Sequence, residues 1–193
     1  MKWTRWLSLL LILGGVLFIG YGVWNIMDTK AQTKNSLSEA KAAINKGNEK
    51  WVDKESKRFV PSIGDAVGLL KIDKIDGELP IVEGTDPDDL EKGVGHYKGS
   101  FYPDENGQIV LSGHRDTVFR RAGELEIGDE LKIVLPYGEF SYQITATKIV
   151  EADDQSIITL DDTQEELILT TCYPFRFVGN ARQRYIIYAK RIE

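Results

Sequence analysis

The sequence predicts a mainly β protein, a mainly antiparallel barrel that is closed or nearly closed, standing behind one N-terminal transmembrane helix. Three observations carry that expectation. Leu7 to Ile26 holds no charged residue, and about 20 residues at ~1.5 Å each match the ~30 Å hydrocarbon core of a bilayer. From Val67 onward the chain breaks into strand-length apolar runs, several bounded by Gly, Pro or Asp. Beyond residue 60 only short segments offer a helical pattern, which leaves a sheet closed on itself or stacked on a second as the economical way to bury the apolar faces.

Residues 1–27 read as the membrane anchor. Lys2 and Arg5 precede the apolar run, and Trp3, Trp6, Tyr21 and Trp24 lie near its two ends, where amphipathic rings favour the headgroup level. The run exceeds a usual signal-peptide apolar region, and Thr29-Lys30-Ala31 is a poor cleavage site, so the anchor is expected to stay uncleaved. Lys30 and Lys34 follow the span and weaken the charge asymmetry, but the positive start places the N-terminus inside and the remaining chain outside the cytoplasm. Residues 28–62 read as a polar, lysine-rich linker. Within it Ser36-Leu-Ser-Glu39 matches a capping box, and Ala40 to Ile44 supply helix formers, so a short helix on a solvated stalk is expected.

Residues 63–193 form the barrel domain on this reading. Strands are expected at 67–72, 108–112, 130–135, 139–150, 166–171 and 184–192. In the fourth of these, Phe140, Tyr142, Ile144 and Ala146 alternate with Ser141, Gln143, Thr145 and Thr147, a period of two that puts the first set on the buried face. Short helical pieces are expected at Pro87 to Lys92 and Val118 to Ala122.

Composition narrows the function. The formal net charge of −6, with no basic stripe, lacks what phosphate-backbone binding needs, so no nucleic-acid partner is expected. Two histidines, His96 and His114, and one cysteine give no zinc-ligand spacing. Asp86, Asp88, Asp89, Glu91, Asp153 and Asp154 read as solvated loop acids rather than a calcium site. Neither a metal nor another cofactor is expected.

The candidate chemistry gathers on the single cysteine. Cys172 ends the run Glu166-Leu-Ile-Leu-Thr-Thr-Cys172, just before Tyr173-Pro174, and in a chain outside the cytoplasm it has no internal disulfide partner. Arg184 opens the next strand after the connection from Tyr173 to Gln183. A hairpin would bring that guanidinium beside the thiol, where it can donate to a developing oxyanion. His114 follows the strand ending at Ser112, with Gly113 between them to let the backbone turn. Thiol and imidazole are the pair that acyl transfer requires, one as nucleophile and the other as acid for the leaving amine. His96, in Gly93-Val-Gly-His96, competes for that role, and Asp116 is a weak candidate to orient an imidazole.

Gly113-His114-Arg-Asp, Leu169-Thr-Thr-Cys172 and Arg184-Tyr-Ile, in that order, resemble the signatures of sortases. The resemblance runs from about Gly68 to the C-terminus, and the membrane anchor fits it too. It implies an eight-stranded closed barrel in which His114, Cys172 and Arg184 meet, and a Gram-positive bacterial origin. Cys172 would attack the threonine carbonyl of an LPxT-type sorting signal on a secreted protein. His114 would protonate the leaving amine, and an amine on a peptidoglycan precursor would then take the acyl group. Arg184 would hold the substrate backbone or the oxyanion, and Thr171 would help shape the pocket. The family's usual TLxTC pattern is altered here, because Ile168 stands where the first threonine would be, a position read as structural. The sequence shows no second apolar span at its C-terminus and no aspartate-proline-aromatic lid motif, features of pilin-polymerising sortases. With Cys172-Tyr-Pro-Phe175, this makes it most similar to class D sortases, whose signals often carry LPxTA.

Two other readings stand beside this one. A papain-like or amidase cysteine hydrolase would use the same pair, but those enzymes place the cysteine before the histidine, whereas here both histidines precede it. A noncatalytic, membrane-anchored β-module that binds peptides would instead keep Cys172 buried and inert.

Overall fold

The protein is described by a computed structural model covering residues 2–47, 50–53, 55, 58–177 and 179–192. Its elements are α1 (Lys2–Lys46), β1 (Ala66–Ile72), β2 (Gly77–Glu83), α2 (Pro87–Leu90), β3 (Val94–His96), β4 (Gln108–Gly113), β5 (Glu130–Leu135), β6 (Gly138–Glu151), β7 (Glu166–Tyr173) and β8 (Gln183–Ile192). The eight strands close into one barrel in the order β1-β2-β3-β4-β7-β8-β6-β5. Two pairs, β2 with β3 and β4 with β7, are parallel and the others antiparallel. Closure leaves no sheet edge open to pairing with another chain.

All six expected strands are present. The two that sequence patterns did not signal have physical reasons for their silence. β3 is three residues long, too short to show a period. β2 contains Pro80, which pairs with Leu69 of β1 on one side, while β3 begins opposite Ile81 on the other. A proline is tolerated where only one neighbour asks for a ladder bond. In β6 the alternation holds through Phe140, Tyr142 and Ile144, all buried, and then fails at Ala146, which is exposed. The pairing with β8 shifts register between Ile144 and Ala146, and such a bulge turns the following side chains outward. The helix expected at 87–92 is the single turn of α2, and the one expected at 118–122 is a run of turns leading to a 3-10 helix at Ala122–Glu124. Inside the barrel Leu70, Ile81, Ile109, Leu111, Phe119, Leu131, Tyr142 and Leu167 are fully buried.

The linker differs from a solvated stalk carrying a separate short helix. α1 runs unbroken for 45 residues, about 68 Å at ~1.5 Å per residue. Its apolar first half, Leu7 to Met27, is almost wholly exposed, as a lipid-facing span would be. Its second half lies on the barrel wall. Leu37, Ala40 and Ile44 pack with Ala66, Leu69, Val82 and Val134 of β1, β2 and β5. Thr33 Oγ1 donates to the Glu91 carbonyl at 3.1 Å, and Lys41 Nζ reaches Glu78 at 2.6 Å. Ser36 is therefore a buried mid-helix residue and caps nothing. No Gly or Pro interrupts residues 27–35, so the helix continues, and small residues at 36, 40 and 43 let it approach the strands closely.

This docking predicts a contrast between two neighbouring positions. Ala40→Glu buries a carboxylate against β1 and should lower the stability of the chain by about 2–4 kcal/mol. Ser38→Glu, on the exposed side of the same helix, should cost no more than about 0.5 kcal/mol. Chemical denaturation of the two variants checks this, and equal small effects would mean that residues 28–46 stand free of the barrel.

Candidate active site

Strand register alone brings the three candidate residues to one rim. β4 and β7 run parallel, with Ser112 opposite Thr170 and Gly113 opposite Thr171, so β4 ends level with the residue just before Cys172. His114 is the residue after the last pair on one strand and Cys172 the residue after it on the other. β8 then starts at the same rim, antiparallel to β7, with Arg184 directly opposite Cys172. Directly paired residues put their side chains on the same face, so thiol and guanidinium point the same way.

Further contacts hold that arrangement. Thr171 is buried, and its hydroxyl donates to the Gly113 carbonyl at 2.7 Å, tying the residue before the thiol to the residue before the imidazole. Gly113 is required for space rather than for a sharp turn: its φ is not positive, but a Cβ there would lie 2.6 Å from the ring of Phe119, a fully buried side chain. The loop folds back through Phe119 N, which donates to the His114 carbonyl at 3.0 Å. Ile168 is fully buried beside Val150, Ile157 and Ile186, which accounts for an apolar residue at that position.

His114, Cys172 and Arg184 line one cleft of about 300 Å³, together with Arg115 and Gly179. Among the described residues neither the His114 ring nor the Cys172 thiol has a hydrogen-bond partner, so the pair shares the cleft without being bonded to each other. Arg184 uses Nη1 for the carbonyls of Ala181 and Gln183, at 3.2 and 3.1 Å. Its other nitrogens have no partner among the described residues. Tyr173, Phe175 and Tyr185 form an aromatic cluster beside the cleft, with ring centroids 5.3–6.1 Å apart. A larger hollow of about 440 Å³, lined by Arg58, Phe59, Glu105 and Tyr137 among others, contains neither thiol nor imidazole.

The competing residues lie elsewhere or face away. His96 is buried, with Nδ1 2.6 Å from Glu83 Oε2 and Nε2 3.0 Å from the Phe101 carbonyl and from Ser100 Oγ. The same Glu83 oxygen accepts from the Tyr102 hydroxyl at 2.6 Å. Burial first, and the Glu83 charge second, push the Tyr102 hydroxyl well above its ordinary pKa, so it remains a donor. His96 is thus committed to a core network. His96→Ala would strand a buried carboxylate and should cost about 3–5 kcal/mol of stability, while the alkylation rate of Cys172 in the folded protein stays within about twofold. A large fall in that rate would return His96 to the candidate list. The Asp116 carboxylate is mostly exposed and lies 3.6 Å from Arg115 Nε, so it does not orient His114. Of the expected loop acids, Asp89 is corrected: it is buried, 3.3 Å from Lys92 Nζ.

Arg115 was the site residue that sequence reasoning missed. In Gly-His114-Arg115-Asp116 it reads as one more surface cation, whereas the structure buries it beside the cleft.

Comparison with known proteins bears on the arrangement as a whole. Residues 70–192 match the family model described as Sortase domain. The chain is 60% identical to Sortase D of Bacillus subtilis (strain 168), over 96% of this chain and 98% of that protein. Among solved structures, a Clostridium perfringens Sortase D5 transpeptidase aligns over 84% of this chain and 99% of its own, with 29% identity and a TM-score of 0.72. A Clostridium perfringens sortase C, solved with the C-terminal cell wall sorting motif, aligns over 89% of this chain and 99% of its own, with 27% identity and a TM-score of 0.63.

Proposed function

The chain belongs to the sortase family of cysteine transpeptidases, and from that premise we propose that it cleaves an LPxT-type sorting signal after threonine and passes the acyl group to a cell-wall amine. The observation that carries the proposal is the shared rim, where register sets Cys172 opposite Arg184 and pairs Gly113, just before His114, with Thr171, just before Cys172.

In the first half-reaction Cys172 Sγ, as thiolate, attacks the threonine carbonyl carbon. The carbonyl oxygen becomes an oxyanion, which the Arg184 guanidinium stabilises through the nitrogens not engaged by Ala181 and Gln183. As the C–N bond breaks, the His114 imidazolium gives its proton to the departing amine, leaving a thioester on Cys172. In the second half-reaction an incoming amine attacks that thioester, its proton passes to His114, and the thiolate leaves as the new amide forms. Thr171 serves by holding Gly113, and thereby the base of the His114 loop, against β7.

The first half of α1 serves as a single-pass membrane anchor, with the barrel on the extracytoplasmic side, where secreted substrates and peptidoglycan precursors are found. The likeness to a sortase C solved with the C-terminal cell wall sorting motif supports a sorting peptide as the substrate. The likeness to Sortase D and Sortase D5 favours class D, and with it LPxTA over LPxTG.

The test uses the full chain in detergent micelles with LPxTA and LPxTG peptides, a small primary amine and mass-spectrometric detection. The expected product is the peptide cut after threonine and joined to the amine, formed faster from LPxTA. Release of the free acid alone would favour the cysteine hydrolase, and no cleavage by a folded chain would favour the binding module.

A further inference from the structure

We propose that Arg115 is a positioning residue for this same reaction, one guanidinium that ties the start of the β7–β8 connection, at Pro174, to Gly179 near its middle and so sets the wall of the cleft against which the sorting peptide lies. The proposal rests on the functional reading above.

Arg115 is 7% exposed, which is unusual for an arginine unless its donors are satisfied. The adjacent carboxylate does not account for the burial, since Asp116 is 3.6 Å away with its own side chain 66% exposed. The guanidinium bonds two backbone carbonyls instead. Nη1 donates to Pro174 O at 3.1 Å, and Nη2 donates to Gly179 O at 2.8 Å. Pro174 lies just beyond β7, and Gly179 lines the cleft. A planar fork with donors in fixed directions can hold two acceptors on separate legs of a loop, whereas a lysine ammonium is a point charge on a flexible stem. The half-exposed Phe177 ring, near the middle of the loop, sits 5.7 Å from the Arg115 Cζ, within range of a cation–π contact.

The placement in the chain gives these bonds their consequence. Arg115 directly follows His114, and Gly113, directly before it, is held by Thr171. The imidazole is therefore carried on a backbone fastened on both sides to the segment bearing Cys172, by the Thr171 hydroxyl before it and the Arg115 fork after it. Arg184 depends on the same loop, because Nη1 donates to the Ala181 carbonyl. Releasing the loop would displace the peptide-facing wall, while the thiol stays on β7 and the Thr171 hydroxyl still holds the base of the His114 loop.

Full-length Arg115→Lys, measured beside the wild type and Asp116→Asn in the peptide-transfer assay, tests this. The lysine should lower kcat/KM by about 10- to 100-fold, the range for losing charge-assisted bonds, with the change in KM and kcat within about threefold. Alkylation of Cys172 by a small reagent should stay within about twofold, and Asp116→Asn should match the wild type because it leaves the fork intact. A fall in kcat at unchanged KM would put Arg115 in the chemical step, and an Arg115→Lys chain that does not fold would make it a residue of the fold; either result overturns the proposal. So would a variant within threefold of wild-type kcat/KM, or an equal loss in Asp116→Asn. If the wild type transfers nothing, the functional reading itself has failed, an outcome separate from these.

Discussion

Cys172→Ala should abolish transfer, by at least about 10⁴-fold, because among the described residues no other thiol and no hydroxyl lines the cleft to form an acyl intermediate. Cys172 is the sole cysteine, so the variant should also lose all thiol labelling. The fold should survive. Cys172 is only partly buried, near the end of β7, so removing one sulfur there should change stability by about 1 kcal/mol or less. A melting curve with the wild-type midpoint, beside a flat progress curve in the peptide assay, is the expected pair of results. Residual transfer above about 1% would place the nucleophile elsewhere.

His114→Ala should lower transfer by about 10³-fold, within the 10²–10⁴ range for removing a positioned proton donor and acceptor. Both half-reactions depend on the imidazole, one for protonating the leaving amine and one for accepting the proton of the incoming amine. The loss should therefore appear in single-turnover acylation as well as in steady-state transfer. The discriminating comparison is an activated thioester substrate, whose thiol leaving group needs no proton. With it, acylation of His114→Ala should recover to within about tenfold of wild type. An equal loss with both substrates would assign His114 to positioning rather than proton transfer.

The parts of the molecule legible in its sequence were those written in local patterns. The uncharged run from Leu7 to Ile26 and the alternation read from Phe140 to Ala146 depend on neighbouring residues; the first emerged as one exposed apolar helix, and the second held through Ile144. The meeting of Cys172 with Arg184 was legible because a hairpin joins adjacent strands, and the observed register pairs them directly. His114 joins them through the parallel pairing of β4 with β7. That pairing spans more than 50 residues of chain, and no local pattern announces it; the ordered motifs supplied it by resemblance.

Other features were hidden because tertiary contacts decided them. Ser36-Leu-Ser-Glu39 has the form of a capping box, but α1 does not break before it, and the small residues of that stretch serve as a packing stripe against β1. Asp89 and His96 look like loop residues in the sequence and are buried with partners in the fold. Arg115 was missed for the same reason: its acceptors, Pro174 O and Gly179 O, are roughly 60 residues distant in the chain, and a backbone carbonyl leaves no mark in sequence composition.

The central claim is that Cys172 carries a thioester between two amines. The most direct test is intact-protein mass spectrometry of the full chain, mixed with an LPxTA peptide and no acceptor, followed by addition of an amine. The account predicts a mass gain equal to the acyl portion of the peptide ending at threonine, located on Cys172 by fragmentation and discharged by the amine into a new amide. A folded chain that processes the peptide with no adduct on Cys172, or with an adduct that the amine cannot discharge, would contradict it.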